Sequence, residues 1–251
     1  GSREQAKADV FGGEFDIPRR HGSYEALVAD ADVQAVYVAT PHPMHEANTL
    51  LALRAGKPVL CEKPFAVNAA QARRMVAAAR EADLFLMEAM WTRYLPPIRE
   101  AKRLVDSGAI GEPRMIMADF GFRAGWDPAR RTLNPDLAGG GLLDVGIYPL
   151  SLAGMFFGPA RAVAAQAHIG ETSVDEQAGM VVKYDAGRLA LLATGVRTET
   201  PMEGWILGTE GKIHLHHQWW RGSPLTLLIK NKDPQEIAPE VAENGFVYEV
   251  E

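Results

Sequence analysis

Through the first ninety residues, short apolar runs alternate with longer stretches whose apolar positions recur at helical spacing. Gln34-Ala35-Val36-Tyr37-Val38-Ala39 is a compact, β-branched run ending at Thr40-Pro41, the pattern of a buried parallel strand. Met44 to Ala55 reads as a helix closed by Gly56, and Pro58 to Glu62 as a second strand. Asn68 is a good N-cap for a helix through Ala82, and Leu84 to Met87 is a third strand. Ahead of these lie a charged, alanine-containing helix from Glu4 to Phe15 and a short helix from Ser23 to Ala29, with Ser23 as its cap. Repeated βαβ units predict a parallel sheet with helices on both faces. Such sheets bind ligands at the carboxyl ends of their strands, where Thr40, Lys63 and Glu88 fall.

After Trp91 the period changes. Tyr94 to Val105 is one more helix, ended by Gly108. From Pro113 the chain reads mainly as strand: Met115 to Phe122, Ala162 to Ile169, Gln177 to Tyr184 and Arg188 to Val196. Shorter pieces follow at Trp205 to Leu207, Ile213 to His216 and Leu225 to Ile229. Asp185-Ala186-Gly187 joins two strands as a hairpin turn, and the glycine-rich stretch before Asp144 feeds the one clear helix of this region. The fold class is therefore α/β followed by α+β, with a parallel sheet in residues 1–92 and an open, mainly antiparallel sheet in 93–251. An open antiparallel sheet leaves one face for another element or a partner.

Both ends are abrupt. Gly1-Ser2-Arg3 runs directly into a helix, and no G-x-G-x-x-G occurs, so the first βαβ element of such a sheet is missing from this sequence. Phe246 to Glu251 reads as the first turn of an element that does not continue.

Composition narrows the function classes. A chain of 251 residues with 47% hydrophobic and 23% charged residues can bury one large core or two modest ones. A net charge of −6 offers no basic surface for nucleic acid or anionic lipid. The longest apolar stretch, Leu142 to Gly158, is interrupted by Asp144, Tyr148 and Pro149, so no membrane span is expected. The charged N-terminus does not read as a secretory signal, and the single cysteine, Cys61, sits in a strand pattern as a small core residue. Both fit a cytoplasmic location.

The candidate chemistry rests on Lys63, Asp144 and Tyr148. On a helix, positions four apart share a face, so Asp144 and Tyr148 can point into one cleft. A lysine beside a tyrosine favours the phenolate, drawing a pKa of about 10 towards the working pH. Plainer readings exist for each: Asp144 as a helix-start carboxylate, Tyr148 as a half-buried tyrosine with its hydroxyl in water, Lys63 as a snorkelling surface lysine. His42 and His45 lack a third convergent ligand, so no metal is expected there, and His214, His216 and His217 read as an exposed polar face. Trp219-Trp220 reads as core, as an interface anchor or as a pocket wall.

Four motifs in order, Ala39-Thr40-Pro41-His42-Pro43-Met44-His45, Glu62-Lys63-Pro64, Met87-Glu88-Ala89-Met90-Trp91-Thr92-Arg93 and Gly140-Gly141-Leu142-Leu143-Asp144-Val145-Gly146-Ile147-Tyr148, resemble the Gfo/Idh/MocA oxidoreductase family. Within it they are most similar to the dimeric trans-dihydrodiol dehydrogenase and NADP-linked D-xylose dehydrogenase branch. The resemblance runs from Ser2 to Tyr248 and implies a Rossmann domain followed by an α+β domain whose open sheet mediates homodimerisation. It implies NADP as cofactor, with NAD as the alternative, and a sugar or diol substrate. By position, Tyr148 resembles the acid/base, Lys63 the residue that tunes it, and Asp144 a residue that positions substrate hydroxyls. Thr40, Pro41, His42, His45, Glu62 and Lys63 resemble the cofactor-side loops, and Trp91 and Arg93 further cofactor contacts. Trp220 and Phe246 resemble apolar walls of the substrate pocket, and Ser2-Arg3 the end of the second strand, where the 2′-phosphate of NADP would be held.

The implied function is hydride transfer between NADP and a sugar, polyol or vicinal diol. The absent glycine loop motivates a second reading, a non-catalytic dimerising fragment or a redox-inactive sugar-binding relative. A third is a family member with another substrate, such as a biliverdin- or inositol-type reductase; tyrosine rather than histidine at position 148 disfavours the inositol type.

Overall fold

Val36–Val38 (β1), Val59–Glu62 (β2) and Leu86–Ala89 (β3) pair in parallel, in that order, in the computed structural model of the protein, which describes residues 1–250. The chain divides into two compact units, Gly1–Ala89 and Met90 onward. In the first unit the helices are Gln5–Glu14 (α1), Tyr24–Ala29 (α2), His45–Arg54 (α3) and Ala69–Glu81 (α4). Val36, Val38, Val59 and Cys61 from the strands pack with Ala52 and Leu53 of α3 and Met75 and Ala79 of α4. The caps are those expected: the Ser23 hydroxyl accepts from the Ala26 N–H and the Asn68 side chain from the Gln71 N–H, both at 3.0 Å.

One strand starts later than its pattern suggested. Asp83 adopts a left-handed backbone and the Leu84 N–H bonds back to the Ala79 carbonyl, so the end of α4 takes Leu84, while the Phe85 carbonyl already accepts the Val59 N–H of β2 at 2.9 Å. Phe85 is left exposed, and β3 begins at Leu86.

The second unit holds helices Pro96–Asp106 (α5) and Ile147–Phe157 (α6) and an eight-stranded sheet. Its strands are Pro113–Gly121 (β4), Ala162–Ile169 (β5), Asp175–Lys183 (β6), Leu189–Gly195 (β7), Gly204–Gly208 (β8), Gly211–Leu215 (β9), Leu225–Ile229 (β10) and Gln235–Ile237 (β11). The spatial order is β11-β10-β9-β8-β4-β7-β6-β5. All neighbours are antiparallel except β4 and β7, which run parallel because the chain crosses over through α6 and returns by the β5-β6-β7 meander. Alternation places Ile116, Ala118 and Phe120 of β4 in the core, together with Ala190 and Leu192 of β7, and α6 contacts both strands. Met117 and Val181 remain exposed. The segment Pro135–Phe157 has the length and apolarity of a membrane span, yet most of it is buried inside this unit, with Leu152, Ala153, Phe156 and Phe157 in the core. β11, a three-residue strand, carried no recognisable sequence signal.

Candidate functional site

In the first unit the expected residues gather at the carboxyl ends of the parallel strands. Thr40 follows β1, and its hydroxyl accepts from the Asn48 side-chain amide at 3.0 Å. His45 is fully buried. One ring nitrogen lies 2.8 Å from the Thr40 carbonyl and the other 2.8 Å from the Pro64 carbonyl, so the ring ties the end of β1 to the turn after β2. His45 therefore shapes these loops from below. His42, also buried, sets its ring edge-on to that of His45 with centroids 5.7 Å apart. Glu62 accepts from the Tyr37 hydroxyl through one carboxylate oxygen and from the Lys63 backbone N–H, at 3.0 Å, through the other. Glu88 accepts the Phe65 N–H at 2.9 Å, fixing the far side of the Lys63-Pro64 turn.

A cleft of about 580 Å³ opens beside β1; its walls are mainly apolar side chains such as Phe11, Ile17, Leu27 and Val38, with Ser2, Thr40 and Asn48 among its polar residues. Ser2 and Arg3 lie just ahead of α1, Arg3 in a bend, and the Ser2 N–H donates to the His21 carbonyl at 2.9 Å. Arg3 is exposed and does not border the cleft.

In the second unit the glycine-rich run leads into a π-helical turn, Leu142–Gly146, continuous with α6. Asp144 sits in this turn and Tyr148 in the first turn of α6, both buried. The Asp144 carboxylate accepts from both terminal nitrogens of Arg131, at 2.5 and 3.3 Å. Tyr148 is not half-exposed with its hydroxyl in water: it is 6% exposed, and the Trp91 indole N–H donates to its oxygen at 3.1 Å. The Phe120 ring lies 5.3 Å from that of Tyr148 and is stacked on Trp220 at 3.5 Å. Phe246 packs against Trp91 at 4.8 Å. Four expected residues, Tyr148, Trp91, Trp220 and Phe246, thus meet in one aromatic cluster.

Arg93 bonds the Ser151 hydroxyl of α6 at 2.8 Å and its carbonyl at 3.3 Å. Trp219 belongs to the core: it is 1% exposed, with its N–H on the Asp119 carbonyl. His214 stacks on Trp205 and bonds Glu203, while His216 bonds Thr226, both on a partly covered sheet face. Three participants escaped the sequence reading. Phe120 is one apolar strand residue among many, Arg131 lies in an irregular loop, and Asp175 begins β6. The Asp175 carboxylate accepts the Leu142 N–H at 2.6 Å, and burial raises its pKa above the usual carboxylate range while backbone N–H donors oppose the rise.

Comparison with known proteins places these two units. Residues 1–90 match the oxidoreductase family model described as an NAD-binding Rossmann fold, and residues 98–214 match the GFO/IDH/MocA C-terminal domain. The trans-1,2-dihydrobenzene-1,2-diol dehydrogenase of Mus musculus is 38% identical over 242 residues, covering 96% of this chain and 71% of its own length. The aldose-aldose oxidoreductase of Caulobacter crescentus, solved with glycerol, superposes with a TM-score of 0.87 at 29% identity, over 98% of this chain and 76% of that one. A 3-ketoreductase from Actinomadura kijaniata, solved with NADP and TDP-benzene, gives 0.85 at 28% identity, over 99% and 78%. The relatives are named dehydrogenases and oxidoreductases, and the Rossmann-type first unit provides for a nicotinamide cofactor. The chain belongs to the GFO/IDH/MocA family of oxidoreductases.

Proposed function

We propose that this oxidoreductase uses NADP and acts on a sugar, polyol or vicinal diol, with Tyr148 as the acid/base and Lys63 as the residue that favours its ionised form. The observation that carries the reading is the Tyr148 phenol, buried among Phe120, Trp91 and Trp220 yet hydrogen-bonded at its oxygen. The phenol oxygen is buried beside apolar rings, and the Asp144 carboxylate lies one helical turn away on the same segment. Apolar ring faces suit the C–H face of a sugar or the ring of a cyclic diol, and Asp144 beside Arg131 offers a polar end for hydroxyl groups.

A bound nicotinamide supplies the hydride acceptor or donor. Thr40, Pro41 and His42, directly after β1, would line its loop. Tyr148 takes the hydroxyl proton as a carbinol is oxidised, or returns it as a carbonyl is reduced. In the oxidation direction the phenolate takes the substrate hydroxyl proton and becomes the neutral phenol, within a site screened from water. The dehydrogenase name of the mouse relative and the NADP in the ketoreductase structures support this reading. The exposed sheet face with Met117 and Val181 supports a homodimer through the C-terminal sheet, and the lone buried Cys61 fits a cytoplasmic enzyme.

A panel of aldoses, polyols and trans-diols, each with NADP and NAD, tests the proposal. The expected result is turnover of at least one class with NADP, falling about 10²- to 10⁴-fold in Tyr148→Phe. Normal turnover by that variant removes Tyr148 from the chemistry.

A further inference from the structure

We infer that Trp91 is a positioning residue for Tyr148: its indole N–H fixes the phenol rotor and holds down the pKa of the phenol. The inference rests on the proposed acid/base role of Tyr148 for its functional meaning, though not for its geometry. Trp91 lies in the short 3-10 turn Trp91–Tyr94, and Tyr148 lies in α6, 57 residues further along. Both side chains are under a tenth exposed, and the nitrogen–oxygen distance is 3.1 Å.

The indole nitrogen is a donor and never an acceptor. At this contact the Tyr148 oxygen must therefore accept, and its own hydrogen must point elsewhere. A phenol free to rotate would present its proton in several directions; one anchored through a lone pair presents it in the remaining ones. The same bond strengthens when the oxygen becomes a phenolate, because a charged acceptor binds a given donor more tightly than a neutral one. The N–H thus stabilises the ionised form more than the neutral form, in the same sense as a neighbouring cation.

Packing keeps the donor in place. Phe246 lies against the Trp91 ring at 4.8 Å, and a side chain on the neighbouring Gly245 would come within 2.7 Å of the ring carbons, so the backbone there hugs the indole. On the other side Phe120 buttresses the Tyr148 ring, itself stacked on Trp220. The indole cannot rotate away without disturbing Phe246, nor the phenol without disturbing Phe120.

Carbon-13 labelling of tyrosine at Cζ, with the Tyr148 signal assigned by its loss in Tyr148→Phe, reads the ionisation directly and needs neither cofactor nor substrate. Trp91→Phe should raise the Tyr148 midpoint by about one pH unit, the amount by which a hydrogen bond to a charged acceptor exceeds one to a neutral acceptor. Phe120→Leu, which loosens packing but keeps the donor, should leave it within a few tenths. With an active substrate in hand, the kcat–pH profile should move by the same amount while KM changes little. An unshifted midpoint in Trp91→Phe, or equal shifts in both variants, overturns the inference. If Trp91→Phe does not fold by near-ultraviolet circular dichroism, 5-fluorotryptophan, a near-isosteric and stronger N–H donor, should lower the midpoint, and no change then counts against the bond. Full activity in Tyr148→Phe would instead defeat the acid/base reading and leave the titration result standing.

Discussion

The Asp175 carboxylate accepts the backbone N–H of Leu142 at 2.6 Å, across 33 residues of sequence, and so anchors the π-helical turn that carries Asp144. The glycines before that turn are explained by the same contact. Gly140 has φ of +110°, and a Cβ there would come within 2.1 Å of an Asp175 carboxylate oxygen. The run read as a motif is thus a place where backbone must pass close to a carboxylate. On the far side the buried Thr194 hydroxyl donates to the Gly141 carbonyl at 3.1 Å, so the turn is held from β6 and β7 together.

Gly140→Ala should therefore destabilise the second unit by about 1–3 kcal/mol from backbone strain alone, with the displaced carboxylate adding to it. Denaturant unfolding followed by tryptophan fluorescence measures this. A substitution that leaves the midpoint unchanged would show that the turn does not need its glycine.

Arg131→Met should cost about 1–3 kcal/mol, because it takes a charge-assisted pair from a carboxylate that is only 3% exposed. If Asp144 also orients substrate hydroxyls, the same variant should raise KM more than it lowers kcat. Equal thermal stability of variant and wild type would mean that the half-exposed guanidinium contributes nothing to holding Asp144.

Burial pushes the Cys61 thiol from 9.0 up to about 12. Between these values the unfolded chain releases the thiol proton and the folded chain keeps it, so the stability that Cys61 contributes is complete below about pH 9 and declines towards pH 12. Wild type should lose stability relative to Cys61→Ala across that window. Iodoacetamide at pH 8 should label native protein far more slowly than unfolded protein; comparable rates would show an accessible thiolate.

Much of the architecture was legible because it follows from local rules. Ser23 and Asn68 cap their helices because a short polar side chain beside an apolar-periodic run has an orphan N–H within reach. The alternating burial of β4 and the hairpin at Asp185-Ala186-Gly187 need only the two-residue period and a turn that tolerates positive φ. Where neighbours compete, local rules decide less: at Leu84 a helix end takes a residue whose apolarity speaks for a strand.

The site divides along the same line. Tyr148, Asp144 and Trp91 lie in the motifs of the family resemblance, and Trp220 and Phe246 are marked only by position within it. That Trp91 donates to Tyr148, that Arg131 pairs with Asp144, and that Asp175 holds Leu142 could not be read from spacing. Periodicity and capping are written within a few residues of the element they shape, so the chain itself announces its strands, its helices and the order of its two units. A hydrogen bond between residues 57 positions apart depends on which side chains packing brings together, and only the folded molecule decides that.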